Sequence, residues 1–231
     1  MIEFFYSPTP NGWKIAIMLE ECGFDYKTIL LRLGEGDQFQ PEFLKISPNA
    51  KMPAILDHDV EGKPIPVFES GAILIYLAEK SKKFMPTDPV GKKETLEWLF
   101  WQVGNQGPMA GQLSRFKNYA PEGQEYSHKR YSGEYDRNLA VLERRLKGRE
   151  YILGDYSIVD MIAFPWAFIA KPLGASLEEF PNISDWRQRL KQRPAVRNAI
   201  NLFKDNQNRG ANTAQNNSVL FNQSSEHFKT D

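Results

Sequence analysis

The stretch Ile2-Glu3-Phe4-Phe5-Tyr6-Ser7-Pro8-Thr9-Pro10-Asn11-Gly12-Trp13-Lys14 decides how the first part of this chain is read. Ile2, Phe4 and Phe5 lie in a short β-prone run and predict a buried strand. Beyond the turn, Ile15, Met18, Leu19 and Cys22 recur at helical spacing with Glu20 and Glu21 opposite, which predicts an amphipathic helix. A strand that feeds a helix through a short polar turn aims free backbone N–H groups and the positive end of a dipole at one point. That point favours an anion, a thiolate among the candidates. The plainer reading is a connector capped by Asn11, since Asn is a common cap.

Further along, Tyr26 to Arg32 reads as a second strand, and the glycine-containing run from Gly34 to Phe43 as a loop with a helical turn near Pro41. The breakers of Ser47-Pro48-Asn49-Ala50-Lys51-Met52-Pro53 lead into a short strand, Ala54-Ile55-Leu56. Ile65-Pro66-Val67-Phe68 is a fourth strand, and its prolines confine it to an edge or to its own start. Glu69-Ser70-Gly71 then opens a helix with the stripe Ile73, Leu74, Leu77 and Ala78. The order β-α-β, loop, β-β-α makes a compact sheet with helices packed on it, here assigned to residues 1–85. From Val90 the strand signals vanish. Leu96, Leu99, Phe100 and Val103 form a helical stripe, with Trp98 and Trp101 beside it. Gln124 to Lys147 is a long polar helix with Leu139, Leu142 and Leu146 inward. Ser157-Ile158-Val159-Asp160 is a capping box opening a helix so apolar that it belongs at the centre of a bundle. Ile183 to Lys191 and Ala195 to Phe203 complete an all-helical part, residues 90–203. Residues 204–231 form a polar tail, disordered or prion-like by composition, with Val219 to Phe221 the expected point of docking.

With 231 residues the chain is long enough for one large or two small domains. Its formal net charge is zero and no basic stripe interrupts it, which argues against nucleic acid or an anionic membrane as partner. Met1-Ile2-Glu3-Phe4-Phe5 lacks the features of a signal peptide, and no apolar run approaches a membrane-spanning length. The single cysteine, Cys22, excludes an internal disulfide framework and any CxxC motif, which fits a reducing, cytoplasmic compartment. The three histidines show no metal-ligand spacing, and no metal is expected.

Three motifs taken together resemble the cytosolic glutathione transferase family: Asn49-Ala50-Lys51-Met52-Pro53-Ala54-Ile55, Phe68-Glu69-Ser70-Gly71-Ala72-Ile73 and the box Ser157-Ile158-Val159-Asp160. The resemblance covers about residues 1 to 203. Within it, Thr9-Pro10-Asn11-Gly12-Trp13-Lys14 and Trp98-Leu99-Phe100-Trp101-Gln102 are similar to the Nu class, close to the fungal nitrogen-regulator-like transferases. The resemblance implies an α+β thioredoxin-like domain followed by an all-α bundle, and a homodimer. It also implies glutathione as co-substrate, one or two molecules per site, and reduction of disulfides at the expense of glutathione. The alternatives are conjugation of glutathione to electrophiles and a low-activity glutathione-binding regulatory protein.

Glutathione carries an amine, two carboxylates and a thiol, and each needs a partner. By resemblance Glu69 and Ser70 grip the γ-glutamyl end. In the residues themselves a carboxylate, a hydroxyl and helix N–H groups converge at that turn. By resemblance the Met52–Pro53 bond is cis and the Met52 backbone pairs with the cysteinyl unit. Gln38 and Lys51 are the expected partners of the glycyl carboxylate. Arg130, matching an Arg of the Nu pattern, closes on glutathione or reaches across the dimer. Tyr6, Ser7, Thr9 and Asn11 compete to stabilise the thiolate, and the Nu pattern points to Thr9 and Asn11. Cys22, on the apolar stripe, reads as a structural thiol. Trp101, Phe116, Tyr119, Phe164 and Trp166 are candidates for the wall facing a second substrate.

Overall fold

A computed structural model describes residues 1–204 and 214–228. Strand β1 (Ile2–Tyr6) leads through the Ser7–Thr9 turn into helix α1 (Pro10–Cys22), and β2 (Tyr26–Leu30) returns parallel to β1. Two short 3₁₀ turns, Leu33–Glu35 and Asp37–Phe39, precede the single helical turn α2 (Pro41–Leu44). β3 (Ala54–Asp57) pairs antiparallel with β1, and β4 (Ile65–Phe68) antiparallel with β3. The strand order is β2-β1-β3-β4, so the proline-bearing β4 lies at an edge, as its sequence requires. Helix α3 (Ser70–Ser81) buries Ile73, Leu74, Leu77 and Ala78. This mixed four-stranded sheet with its helices is the expected thioredoxin-like arrangement.

Among the described residues beyond α3 the regular elements are helical. They include α4 (Pro89–Trp101), a π-helical turn (Gln102–Gln106), α5 (Gly107–Asn118), α6 (Glu125–Leu146), α7 (Ile158–Phe168), α8 (Pro181–Gln192) and α9 (Pro194–Asn201). Helix α7 is buried along almost its whole length, as its composition predicts. Its capping box forms as read: Ser157 Oγ accepts from Val159 N, and the Asp160 carboxylate accepts from Ser157 N. One core runs through both parts, with α1 packed against α3, α7 and α9. Trp13 meets Phe168 edge-on at 6.0 Å, and Arg193, just before α9, forms a two-point ion pair with Glu21. Helix α1 is thus gripped from the bundle side along its length, which fixes the turn at its N-terminus.

Two local expectations change. Thr9, with extended backbone, is the N-cap of α1, and its Oγ1 accepts from Gly12 N at 3.3 Å. Asn11 lies inside the helix, so its side chain is released from capping. On α4 the expected inward stripe turns partly outward: Leu99 is buried, but Leu96 is 42% and Phe100 68% exposed. Trp98 and Trp101 pack inward instead, edge to face at 5.1 Å. Leu96 through Trp101 carries apolar side chains on nearly every face except at Glu97, so periodicity there does not choose a side. In the described part of the tail, α10 (Ala214–Phe221) packs on the Leu33–Glu35 turn, with Val219, Leu220 and Phe221 half-buried, while the expectation of disorder for 205–213 and 229–231 lies outside the described residues.

Candidate functional site

Two adjoining chambers lie between the sheet and the bundle. The first, about 510 Å³, is lined by Asn11, Lys14, Lys51 to Pro53, Glu69, Ser70, Gln102 and Trp166, among others. The second, about 420 Å³, runs from Thr9 and Asn11 past Gln38 and Lys51 to Tyr119 and the tail residues Leu220, Phe221 and Gln223. Both include Asn11, Lys51, Met52, Trp166 and Phe221, so the chambers meet at the start of α1. Volumes of this size suit small-molecule ligands.

At the junction, Asn11 Oδ1 accepts from Trp166 Nε1 at 3.1 Å. The indole can only donate, so the contact fixes the amide with its oxygen toward Trp166 and leaves the NH₂ as the donor for the cleft. Thr9 Oγ1 gives its own proton to Met52 Sδ at 3.5 Å, a weak acceptor that a thiolate outcompetes. The Asn11 backbone N–H, an orphan donor of α1, has no partner among the described residues, and no acidic side chain occupies the first turn. Three donors and a helix N-terminus therefore converge where the two chambers join. Gly12 lets the turn close: a Cβ there would stand 2.4 Å from the Ser7 carbonyl oxygen and 2.7 Å from the Tyr6 ring. The other thiolate candidates point elsewhere. Tyr6 is fully buried, donates its hydroxyl to Leu202 O, and is pushed up in pKa by burial. Ser7 lines neither chamber.

The Met52–Pro53 bond is cis, and the Met52 N–H and C=O have no hydrogen-bond partner among the described residues. Glu69 stands exposed at φ 68°, a conformation that side chains avoid, and makes no capping bond. Its carboxylate is therefore not used in capping α3, and strained backbone of this kind gathers at ligand sites. Ser70 is the first residue of α3 and accepts from Lys14 Nζ at 3.4 Å. In the second chamber Gln38 donates to Leu33 O while its buried Oε1 has no partner among the described residues, and Lys51 Nζ donates to Gln223 Oε1 of the tail.

Other expected residues are not brought to the cleft. Arg130 sits exposed on α6, paired with Glu134 one turn on, and lines neither chamber. Of the five wall aromatics, Trp166 and Tyr119 line the cleft. Phe164 is fully buried between Phe168 and Trp186, because α7 is apolar all round and this face meets α8. Phe116 stacks on Tyr131 of α6, and Trp101 is taken up by Trp98. Cys22 is half-buried at the far end of α1, beside Met18 Sδ, with its thiol pushed up by burial.

The sequence reading missed Lys14, Gln102 and Phe221. Lys14 had a signal, since it follows Asn11 by three residues and shares its helix face. Gln102 reaches the cleft across 88 residues from Lys14, and Phe221 rests on Tyr119 and under the Arg115 guanidinium. No local pattern announces such contacts.

Comparison with known proteins places this geometry. The family models described as glutathione S-transferase N-terminal domain and C-terminal domain match residues 2–79 and 105–194. The disulfide-bond oxidoreductase YfcG of Escherichia coli K12 is 44% identical over 203 residues, covering 87% of this chain and 94% of that protein. A glutathione transferase from Burkholderia graminis, solved with two glutathione molecules per subunit, superposes with a TM-score of 0.82. It is 45% identical and covers 88% of each chain. A Pseudomonas putida transferase, solved with one glutathione disulfide per subunit, gives 0.81 at 39% identity, covering 87% of this chain and 91% of that one.

Proposed function

Because this chain belongs to the glutathione S-transferase family, we propose that it is a glutathione-dependent disulfide-bond oxidoreductase of the Nu class, with bound glutathione as the attacking thiol. The observation that carries this reading is the place of the chain's single cysteine. Cys22 lines neither chamber, so the nucleophile in the cleft has to come with the ligand. The relatives with two glutathiones or one glutathione disulfide per subunit, and the two chambers joined at Asn11, support the same reading.

In this account Glu69 and Ser70 hold the γ-glutamyl end, the free Met52 N–H and C=O take the cysteinyl backbone, and Gln38 and Lys51 meet the glycyl carboxylate. The sulfur then lies at Thr9 and Asn11, whose donors and helix N-terminus lower the thiol pKa and raise the thiolate fraction. The thiolate attacks one sulfur of the substrate disulfide, forming a mixed disulfide and expelling the other sulfur as thiolate, which takes a proton from water. A second glutathione thiolate attacks the glutathione sulfur of that mixed disulfide and releases oxidised glutathione and the second substrate thiol. Two glutathiones are oxidised for each disulfide reduced. The protein supplies position and electrostatics and stays covalently unmodified. A reducing cytoplasm supplies glutathione as thiol, and we place the active form as a homodimer, in which Arg130 serves its own or the partner site.

The test measures oxidised-glutathione formation with a small disulfide beside thioether formation with an aryl halide. Disulfide reduction is expected to dominate. Asn11→Ala should lower its kcat/KM by about tenfold to a hundredfold, the scale of one hydrogen bond to a charged group. Thioether formation as the main activity would assign the chain to conjugation, and glutathione binding without either product to a regulatory role.

A further inference from the structure

We propose that Lys14 is the residue that sets this cleft's preference for an α-amino acid head group with a free carboxylate, the γ-glutamyl end of the ligand; the proposal rests on the glutathione reading above. Lys14 lies one turn after Asn11 on α1, is 3% exposed and lines the first chamber. Its Nζ donates to Gln102 Oε1 at 3.1 Å and to Ser70 Oγ at 3.4 Å. Both partners are neutral, and among the described residues no carboxylate lies within ion-pair distance. A buried ammonium without an anion is costly unless a ligand supplies one.

Lys14 also orients its neighbours. An ammonium has protons and no lone pair, so Ser70 Oγ and Gln102 Oε1 are both held as acceptors toward it. The Ser70 hydroxyl proton and the Gln102 NH₂ are then left to donate elsewhere. Gln102 Nε2 is buried and has no partner among the described residues. Ser70 opens α3, whose first N–H groups favour an anion. A carboxylate in this chamber thus meets a cation, a hydroxyl, an amide and a helix N-terminus. Glu69, exposed on the same rim, attracts the ammonium of the head group and repels its carboxylate, so the zwitterion is held in one orientation.

Among the described residues few charges face Lys14. Glu69, from the turn between β4 and α3, acts on it, and the contacts from α3 and the π turn are the neutral Ser70 and Gln102. Burial pulls the Lys14 ammonium down from 10.5 to about 7, and Glu69 partly opposes this. A bound carboxylate favours the charged form, so binding above neutral pH takes up a proton and weakens as pH rises.

The test measures dissociation constants for S-methylglutathione, whose sulfur does not titrate, and for its analogue lacking the γ-glutamyl α-carboxylate. Wild type and Lys14→Met are compared from pH 6 to 9. At pH 6.5 wild type should prefer the carboxylate-bearing ligand by about tenfold or more, the scale of a charge-assisted contact. The preference should shrink above neutral pH, while Lys14→Met keeps only a several-fold smaller preference with no pH step. Equal preference in wild type and variant overturns the proposal and leaves glutathione binding intact. Failure of wild type to bind S-methylglutathione overturns the reading beneath it as well. If Lys14→Met does not fold, a wild-type preference unchanged from pH 6 to 9 overturns the proposal by itself.

Discussion

Asn11 does its work through what its neighbours take away from it. Thr9 relieves it of capping, and Trp166 occupies its amide oxygen, so its side chain offers the cleft the NH₂ beside the backbone N–H. Trp166→Phe keeps the ring and deletes the donor. It should lower kcat/KM for disulfide reduction several-fold with little change in Tm, read by steady-state kinetics beside thermal unfolding. Gly12→Ala forces a methyl against the Ser7 carbonyl and the Tyr6 ring. We expect a loss of about 1–3 kcal/mol from overpacking, seen as about 2–4 °C in Tm per kcal/mol for a chain of this size. Lys14 carries a pH signature too. Its folded pKa, about 7, lies below the 10.5 of the free side chain, so between these values the unfolded chain binds more protons. The cost of burying its charge is therefore full below pH 7 and fades as pH rises toward 10.5. Denaturant titrations should show the stability of wild type relative to Lys14→Met rising across that window. At this scale the place of Thr9, Asn11, Met52, Glu69 and Ser70 on the cleft wall was legible, because each sits in a short motif at an element boundary. Lys14 was legible as a neighbour of Asn11 on one helix face, but its burial was not, because only Ser70 and Gln102, distant in sequence, reveal it.

Among the elements, α7 was the most legible and is the most tightly tied. Asp160 accepts from Ser157 N, Ser157 Oγ, Ile152 N and Trp186 Nε1, joining the start of α7 to the preceding loop and to α8. Burial pushes its carboxyl up to about 6, and these four donors hold it down. Asp160→Ala strands buried donors that each cost about 1–3 kcal/mol, so we expect a total loss of about 3 kcal/mol or more in chemical denaturation. Sequence alone does not show the tie to Trp186. The inward side of helix α4 is not legible in the sequence, because its apolar residues surround the axis and only tertiary contacts choose which face is inward. The tail was legible as Val219 to Phe221. Its site role was not, because Phe221 is defined by Tyr119 and Arg115, about a hundred residues earlier.

For the whole molecule, the architecture followed from the order of strands and helices, and the family from three motifs in sequence. Assembly is the level that a single chain's pattern conveys least. On α4, Leu96 and Phe100, one turn apart, are exposed, an apolar pair that a second copy would cover in the homodimer proposed here. Leu96→Asp with Phe100→Asp should shift the protein from dimer to monomer in light scattering. An unchanged mass would place the interface elsewhere. The central claim is that the thiol acting in the cleft belongs to glutathione and not to the protein. The most direct measurement is the rate of oxidised-glutathione formation from a small disulfide by the folded Cys22→Ala protein. The account predicts the wild-type rate, with two glutathiones consumed per disulfide; loss of that activity with the fold intact would contradict it.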